Sequence, residues 1–325
     1  MKSVGPLLIV ASLITALIAC GPSSGALGTL PAATPGTSVD AGPDLTPAPS
    51  GTTSTPAPSE ATPPASSEPS GSHATPAPTP DGTTIVRAYF YFESIPGSSG
   101  LVPVLREVPA TKAVATAAIA ALLAGPTEPE SGAMSSAVPA GTRLLGLTIK
   151  DGVATVDLSR EFESGGGSAS AGIRLGQVTY TLTQFSTVKS VLFKIEGQTV
   201  TVFGSAGIVL DGPVARRDYV DLLPAIFVDR PAYGAALGNP GRVAGSAQGV
   251  FEATFRVTLR DGAGREIADQ QVMAACFCES GAFSATIRYA VPKAQWGTLR
   301  VWAGSAKDGT PVYVREYPVW LTPAG

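Results

Sequence analysis

Basic side chains are missing from the first quarter of this chain: after Lys2 no lysine or arginine occurs before Arg87. Five acids share that stretch, namely Asp40, Asp44, Glu60, Glu68 and Asp81. Removing Lys2 from the 22 bases, and those five from the 25 acids, leaves the remainder close to neutral. The basic face needed for a nucleic-acid partner is therefore absent, as is a charge run that would adhere to anionic lipid. Histidine is almost missing too, His73 being the only one, so a Ser-His-Asp site in a folded domain is excluded by inventory. Three cysteines (Cys20, Cys276 and Cys278) are too few for a four-thiolate zinc site. The glycine run Gly165-Gly166-Gly167 lacks the lysine and the strand-to-helix spacing of a phosphate loop. No cofactor and no metal are expected.

What is present begins at the N-terminus. Met1-Lys2 is a short positive segment, and Leu7–Ala19 is an apolar run too short to span a bilayer, where ~20 residues are needed. Residues 1–19 read as a signal peptide. The tetrapeptide Leu17-Ile18-Ala19-Cys20 resembles a bacterial lipobox. The resemblance implies lipidation on the Cys20 thiol, with acyl chains anchoring the protein to the membrane on its extracytoplasmic face.

Residues 20–83 are proline, serine, threonine, alanine and glycine, and hold 14 of the 29 prolines. Such a composition cannot bury enough apolar surface to offset the entropy of ordering, so a disordered tether is expected. Polyproline II geometry at ~3.1 Å per residue caps its reach on the order of 190 Å.

Residues 84–221 alternate between strand and helix signals. Ile85–Phe92 and Leu101–Val108 read as strands, and a helix runs from a Thr111 cap to Ala124, stopped by Gly125-Pro126. Asp151-Gly152 joins strands 142–150 and 153–158 in a hairpin. A second helix presents Leu175, Val178, Thr179, Leu182 and Phe185, and segments 188–195 and 199–203 form a last hairpin. Helices on one side of a mainly antiparallel sheet give an α+β domain. The motifs Leu123-Ala124-Gly125-Pro126-Thr127, Val138-Pro139-Ala140-Gly141-Thr142, Val153–Ser159 and Gln177–Phe185 together resemble the sporulation and germination domain called GerMN. The resemblance implies an envelope lipoprotein without assigned catalytic residues.

Residues 222–325 show about seven short alternating segments and no helix pattern: 225–229, 242–246, 251–260, 265–274, 282–290, 298–303 and 312–321. That spacing predicts an all-β immunoglobulin-like sandwich. Pro240–Ala247, Phe251-Glu252-Ala253 and Trp302–Gly309 resemble the immunoglobulin-like domain of bacterial spore germination. Cys276 and Cys278 allow a local disulfide, free thiols or, less readily, a metal contact.

The function expected is a lipid-anchored envelope adaptor or scaffold that binds a protein or peptidoglycan partner, and not an enzyme. The alternative is a peptidoglycan-acting hydrolase using Asp157 and Glu161, which with Glu163 cluster after a strand; the competing expectation for that cluster is a solvated loop. For partner binding, straight alternation turns Arg300, Trp302, Tyr313, Arg315, Tyr317 and Trp320 outward, with a break of parity at Pro318. That stripe has hot-spot composition. The competing expectation is that the alternation slips and the tryptophans belong to the core.

Overall fold

A computed structural model describes residues 82–94, 97–276, 278 and 280–324. The readings of the signal peptide, Cys20, the tether and His73 lie outside the described residues. The described residues form one compact unit.

The germination-like half opens with β1 (Thr83–Phe92) and β2 (Gly100–Pro109), paired antiparallel along their whole length. Helix α1 (Val114–Leu123) follows, and Gly125, at φ +80°, ends it with its N–H on Leu122 O at 3.0 Å. Thr111 does not cap it: its hydroxyl accepts from Ala113 N at 3.0 Å, tying the turn ahead of the first helical residue. The short β3 (Met134–Ser135) pairs with the end of β1, giving a sheet ordered β2-β1-β3.

A second sheet holds β4 (Leu144–Lys150), β5 (Val153–Leu158), β6 (Ser190–Ile195) and β7 (Gln198–Thr199), in that order. Asp151 and Gly152 both take positive φ, 51° and 82°, as the tight β4–β5 turn requires. Helix α2 (Ser168–Leu182) connects β5 to β6, which are parallel. The domain thus has two main sheets and a small two-stranded one, not a single sheet. The expected strand 199–203 also divides: β7 ends at Thr199, while β8 (Val202–Phe203) pairs with β9 (Ile208–Val209). Phe203 turns into the core, 5.3 Å from Phe162.

The inner side of α2 is unexpectedly polar. Beyond β3's short pairing, β1 has an open edge, and three side chains of α2 and its end cover it. Thr181 Oγ1 accepts from Tyr89 N at 3.3 Å, and Gln177 Nε2 donates to Tyr89 O at 2.9 Å. Gln184 closes the row, accepting from Arg87 N at 2.8 Å and donating to Arg87 O at 2.7 Å. Spacings of four and three place these residues on one helical stripe. The quoted motif Gln177–Phe185 therefore has a structural meaning: it satisfies strand backbone that would otherwise be stranded in the interior.

The second half is a sandwich. One sheet is β10 (Ile226–Arg230), β12 (Gly241–Ala247) and β15 (Gly281–Ile287). The other runs β11 (Ala236–Leu237), β17 (Pro311–Leu321), β16 (Gln295–Gly304), β13 (Thr254–Arg260) and β14 (Glu266–Met273). Phe255 and Phe283 meet edge to face between the sheets at 4.8 Å. The halves share a continuous core. Tyr233 N donates to Pro103 O and Ala225 N to Gly97 O, both at 2.9 Å. Gly100 makes close approach possible, because at its φ of +146° an added Cβ would stand 2.5 Å from the Leu222 carbonyl oxygen.

Candidate functional site

The expected outward stripe is broken by a bulge. Val301 lies opposite Arg315 and Ala303 opposite Val312, so Trp302 alone faces both Tyr313 and Val314. Tyr313 sits at φ +55°. One extra residue on β17 reverses the face of everything after it. Arg315 and Tyr317, expected outside, are therefore buried at 3% and 1% exposure, and Val319 and Leu321 continue the inward row. The expected break at Pro318 is absent: Pro318 pairs in register with Thr298, and its carbonyl accepts from Gly234 N at 3.0 Å.

Arg315 has no carboxylate partner among the described residues. Its Nη1 donates to Ser98 O at 3.2 Å, and its guanidinium lies 4.6 Å from the Phe92 ring centre and 5.2 Å from that of Tyr317. It reaches from the second half to a backbone carbonyl of the first. Arg300 is half-buried, 5.8 Å from the Trp302 ring and 3.7 Å from Glu316. Trp302 and Tyr313 are half-buried as well.

Trp320 does face outward, and it has a companion the alternation argument did not single out. Trp296 of β16 is its cross-strand partner, with the rings edge to face at 5.3 Å. Exposure of 54% for Trp296 and 36% for Trp320 is high for the costliest residue to leave in water. Beside them opens a groove of about 470 Å³. Trp296, Tyr233 and Pro318 form one wall, and Val104, Pro129 and Glu130 the other. Glu130 is fixed by a bidentate pair with Arg106 at 2.9 and 2.5 Å. Burial raises its pKa, but the Arg106 bond and the Thr127 N–H outweigh that and hold it below the usual carboxylate range. Both walls are thus firmly positioned, and the groove exists only because the two halves meet.

The clustered carboxylates do not converge on a cleft. Asp157 accepts from Gly197 N at 3.0 Å and Glu163 from Gly204 N at 3.4 Å, each tying a turn. Glu161 stands 3.8 Å from Arg143. The neighbouring Ser159 and Arg143 hold its pKa below the usual carboxylate range, the reverse of what a general acid needs. Cys276 and Cys278 are joined, with Cα atoms 5.3 Å apart, in the turn after β14 rather than in a flat strand.

With this geometry in place, the comparisons are specific. Residues 88–201 match the family Germane, described as sporulation and spore germination. Residues 225–310 match Gmad2, the immunoglobulin-like domain of bacterial spore germination. The two matches follow one another in that order along the chain. Among solved structures, the tandem GerMN domains of the sporulation protein GerM from Bacillus subtilis share 17% identity at a TM-score of 0.36. That match covers 58% of this chain and 60% of GerM's tandem. The first GerMN domain of the same protein shares 23% identity over 42% of this chain and all of that one, at a TM-score of 0.35. A putative lipoprotein from Clostridium perfringens shares 22% identity over 46% of this chain and 97% of that one, at a TM-score of 0.31. No curated protein matches the chain.

Proposed function

We propose that this protein is a lipid-anchored, non-catalytic adaptor of the bacterial cell envelope. In this reading Cys20 carries the anchor, residues 20–83 form the tether, and the paired domains dock an envelope protein. The observation that carries it is the exposed Trp296–Trp320 pair beside a groove built jointly by both domains. A paired indole surface flanked by tyrosine and proline, with a single carboxylate in the wall, has the composition of a protein-binding hot spot. The groove's makeup from both domains favours a partner that reads them together. Against the hydrolase alternative stand the turn-tying bonds of Asp157 and Glu163 and the lowered pKa of Glu161.

The test is photo-crosslinking in intact cells from a reactive residue placed at Trp320. Discrete protein adducts are expected, lost on adding Trp296→Ala while the thermal midpoint holds, and lost also with Cys20→Ala, which removes the anchor. Adducts indifferent to Trp296→Ala would refute the docking face. Retention on purified peptidoglycan that depends on both tryptophans would reassign the partner to the wall polymer.

A further inference from the structure

A second cavity lies at the opposite kind of surface, polar where the tryptophan groove is apolar. It encloses about 340 Å³ between the 3₁₀ turn Arg216–Leu222, the end of α2 and the outer face of the β10–β12–β15 sheet. This is within the range that takes a small molecule. Its charge is unbalanced. Among the described residues, Arg216, Arg230 and Arg242 line it against one carboxylate, Asp229. None of the three arginines forms an ion pair among the described residues.

The arrangement follows from simple rules. Residues 242, 244 and 246 alternate onto one face of β12, so Arg242 stands over a floor of Ala244 and Ser246, whose small side chains leave the hollow. Arg242 is steadied by Nε donating to Ser284 Oγ at 3.1 Å. Arg216 is locked more firmly: Nε donates to Thr183 Oγ1 at 2.9 Å, and Nη2 to Tyr180 O and Tyr89 Oη, both at 3.2 Å. Its guanidinium sits 4.6 Å from the Tyr180 ring centre. These bonds use Nε and Nη2 and set the orientation of the fork. Asp229 is already committed, accepting from Tyr89 Oη at 2.7 Å, and burial holds Tyr89 far above the ordinary tyrosine range, so that hydroxyl stays a donor. Phe227, Val220 and Leu223 supply an apolar wall beside the charges.

The geometry points to a binding site for a small oxyanion with an apolar body, a carboxylate or phosphate monoester held by Arg216, Arg230 and Arg242. Guanidinium forks match both head groups in bidentate fashion, and one pre-oriented arginine lowers the ordering cost of binding. The site is separate from the tryptophan groove, and the adaptor reading does not depend on it.

Ligand-observed NMR titration of the full chain, using benzoate and phenyl phosphate with benzyl alcohol as the uncharged control, tests the assignment. At least one anion is expected to saturate, the preferred head group identifying the ligand class, while the alcohol does not. The exposed pair Arg230→Gln and Arg242→Gln should weaken that binding about tenfold or more with an unchanged thermal midpoint. Asp229→Asn, which keeps an acceptor for Tyr89, should strengthen it. Failure of both anions to saturate in the millimolar range, equal binding of benzyl alcohol, or binding unaffected by the arginine substitutions would each overturn the proposal.

Discussion

Replacing Gln177 by leucine tests the claim that α2 serves as a polar cover for β1. Gln177 is fully buried and bonds two backbone groups at once: Nε2 donates to Tyr89 O at 2.9 Å, and Oε1 accepts from Ala137 N at 2.8 Å. Leucine is near it in size, so no large cavity is opened, and the cost is chiefly that of two stranded polar groups. A buried unpartnered group costs about 1–3 kcal/mol. Tyr89 lies at zero exposure and should cost toward the upper figure, whereas Ala137 is half-buried and water can partly replace its bond. The expected loss is about 2–4 kcal/mol. Thr181→Val is the matched comparison, since it removes one 3.3 Å bond at nearly constant shape and should cost about 1 kcal/mol. Urea unfolding followed by far-ultraviolet circular dichroism and tryptophan fluorescence gives both values. The two transitions should coincide, because the half that carries all three tryptophans shares one continuous core with the other. A Gln177→Leu protein within about 0.5 kcal/mol of the parent, at equal m-value, would refute the reasoning.

Two further outcomes follow from the charged groups. Glu130 has a folded pKa below its ordinary 4.5, so its contribution is fully present above that value and is lost as pH falls through the folded one. The stability gap between the parent and Glu130→Gln should therefore be constant near neutrality and shrink on acidification below pH 4.5; a gap independent of pH would contradict the pairing with Arg106. Arg315 is a buried charge with aromatic faces and one carbonyl but no counter-ion among the described residues, so Arg315→Met should leave stability unchanged or raised. A loss above about 2 kcal/mol in the same urea assay would show that the Ser98 bond outweighs desolvation.

Much of the fold was legible where the cause is local. Asp151-Gly152 declares its turn because few residues accept positive φ, and the seven alternating segments of the second domain all appear as strands. Non-local causes left no such mark. Whether β5 and β6 run parallel depends on where α2 returns the chain, and 199–203 divides because Phe203 finds Phe162 rather than a continuing ladder. The polar residues Gln177, Thr181 and Gln184 of α2 and its end carry no mark of their burial in the helix's own pattern. Only the open edge of β1, invisible in the helix's own sequence, turns them inward.

The candidate site shows the same division more sharply. Alternation put Leu299 and Val301 inside, as observed, and Trp320 is outside as expected, but through the parity change at Tyr313 and Val314 rather than one at Pro318. Alternation failed between Trp302 and Pro318 because the parity change sits at Tyr313 and Val314, where no glycine or proline announces it. A bulge there is set by the partner strand and by what the bulged residues touch: a Cβ added at Gly97, in the first domain, would stand 2.5 Å from the Tyr313 ring. The same slip sends Arg315 across to Ser98 and frees the far end of β17 to carry Trp320 beside Trp296. The Arg315 contact with the first domain and the outward face of Trp320 are therefore consequences of one extra residue. That coupling is why the binding face had to be read from the assembled chain and not from either domain's pattern.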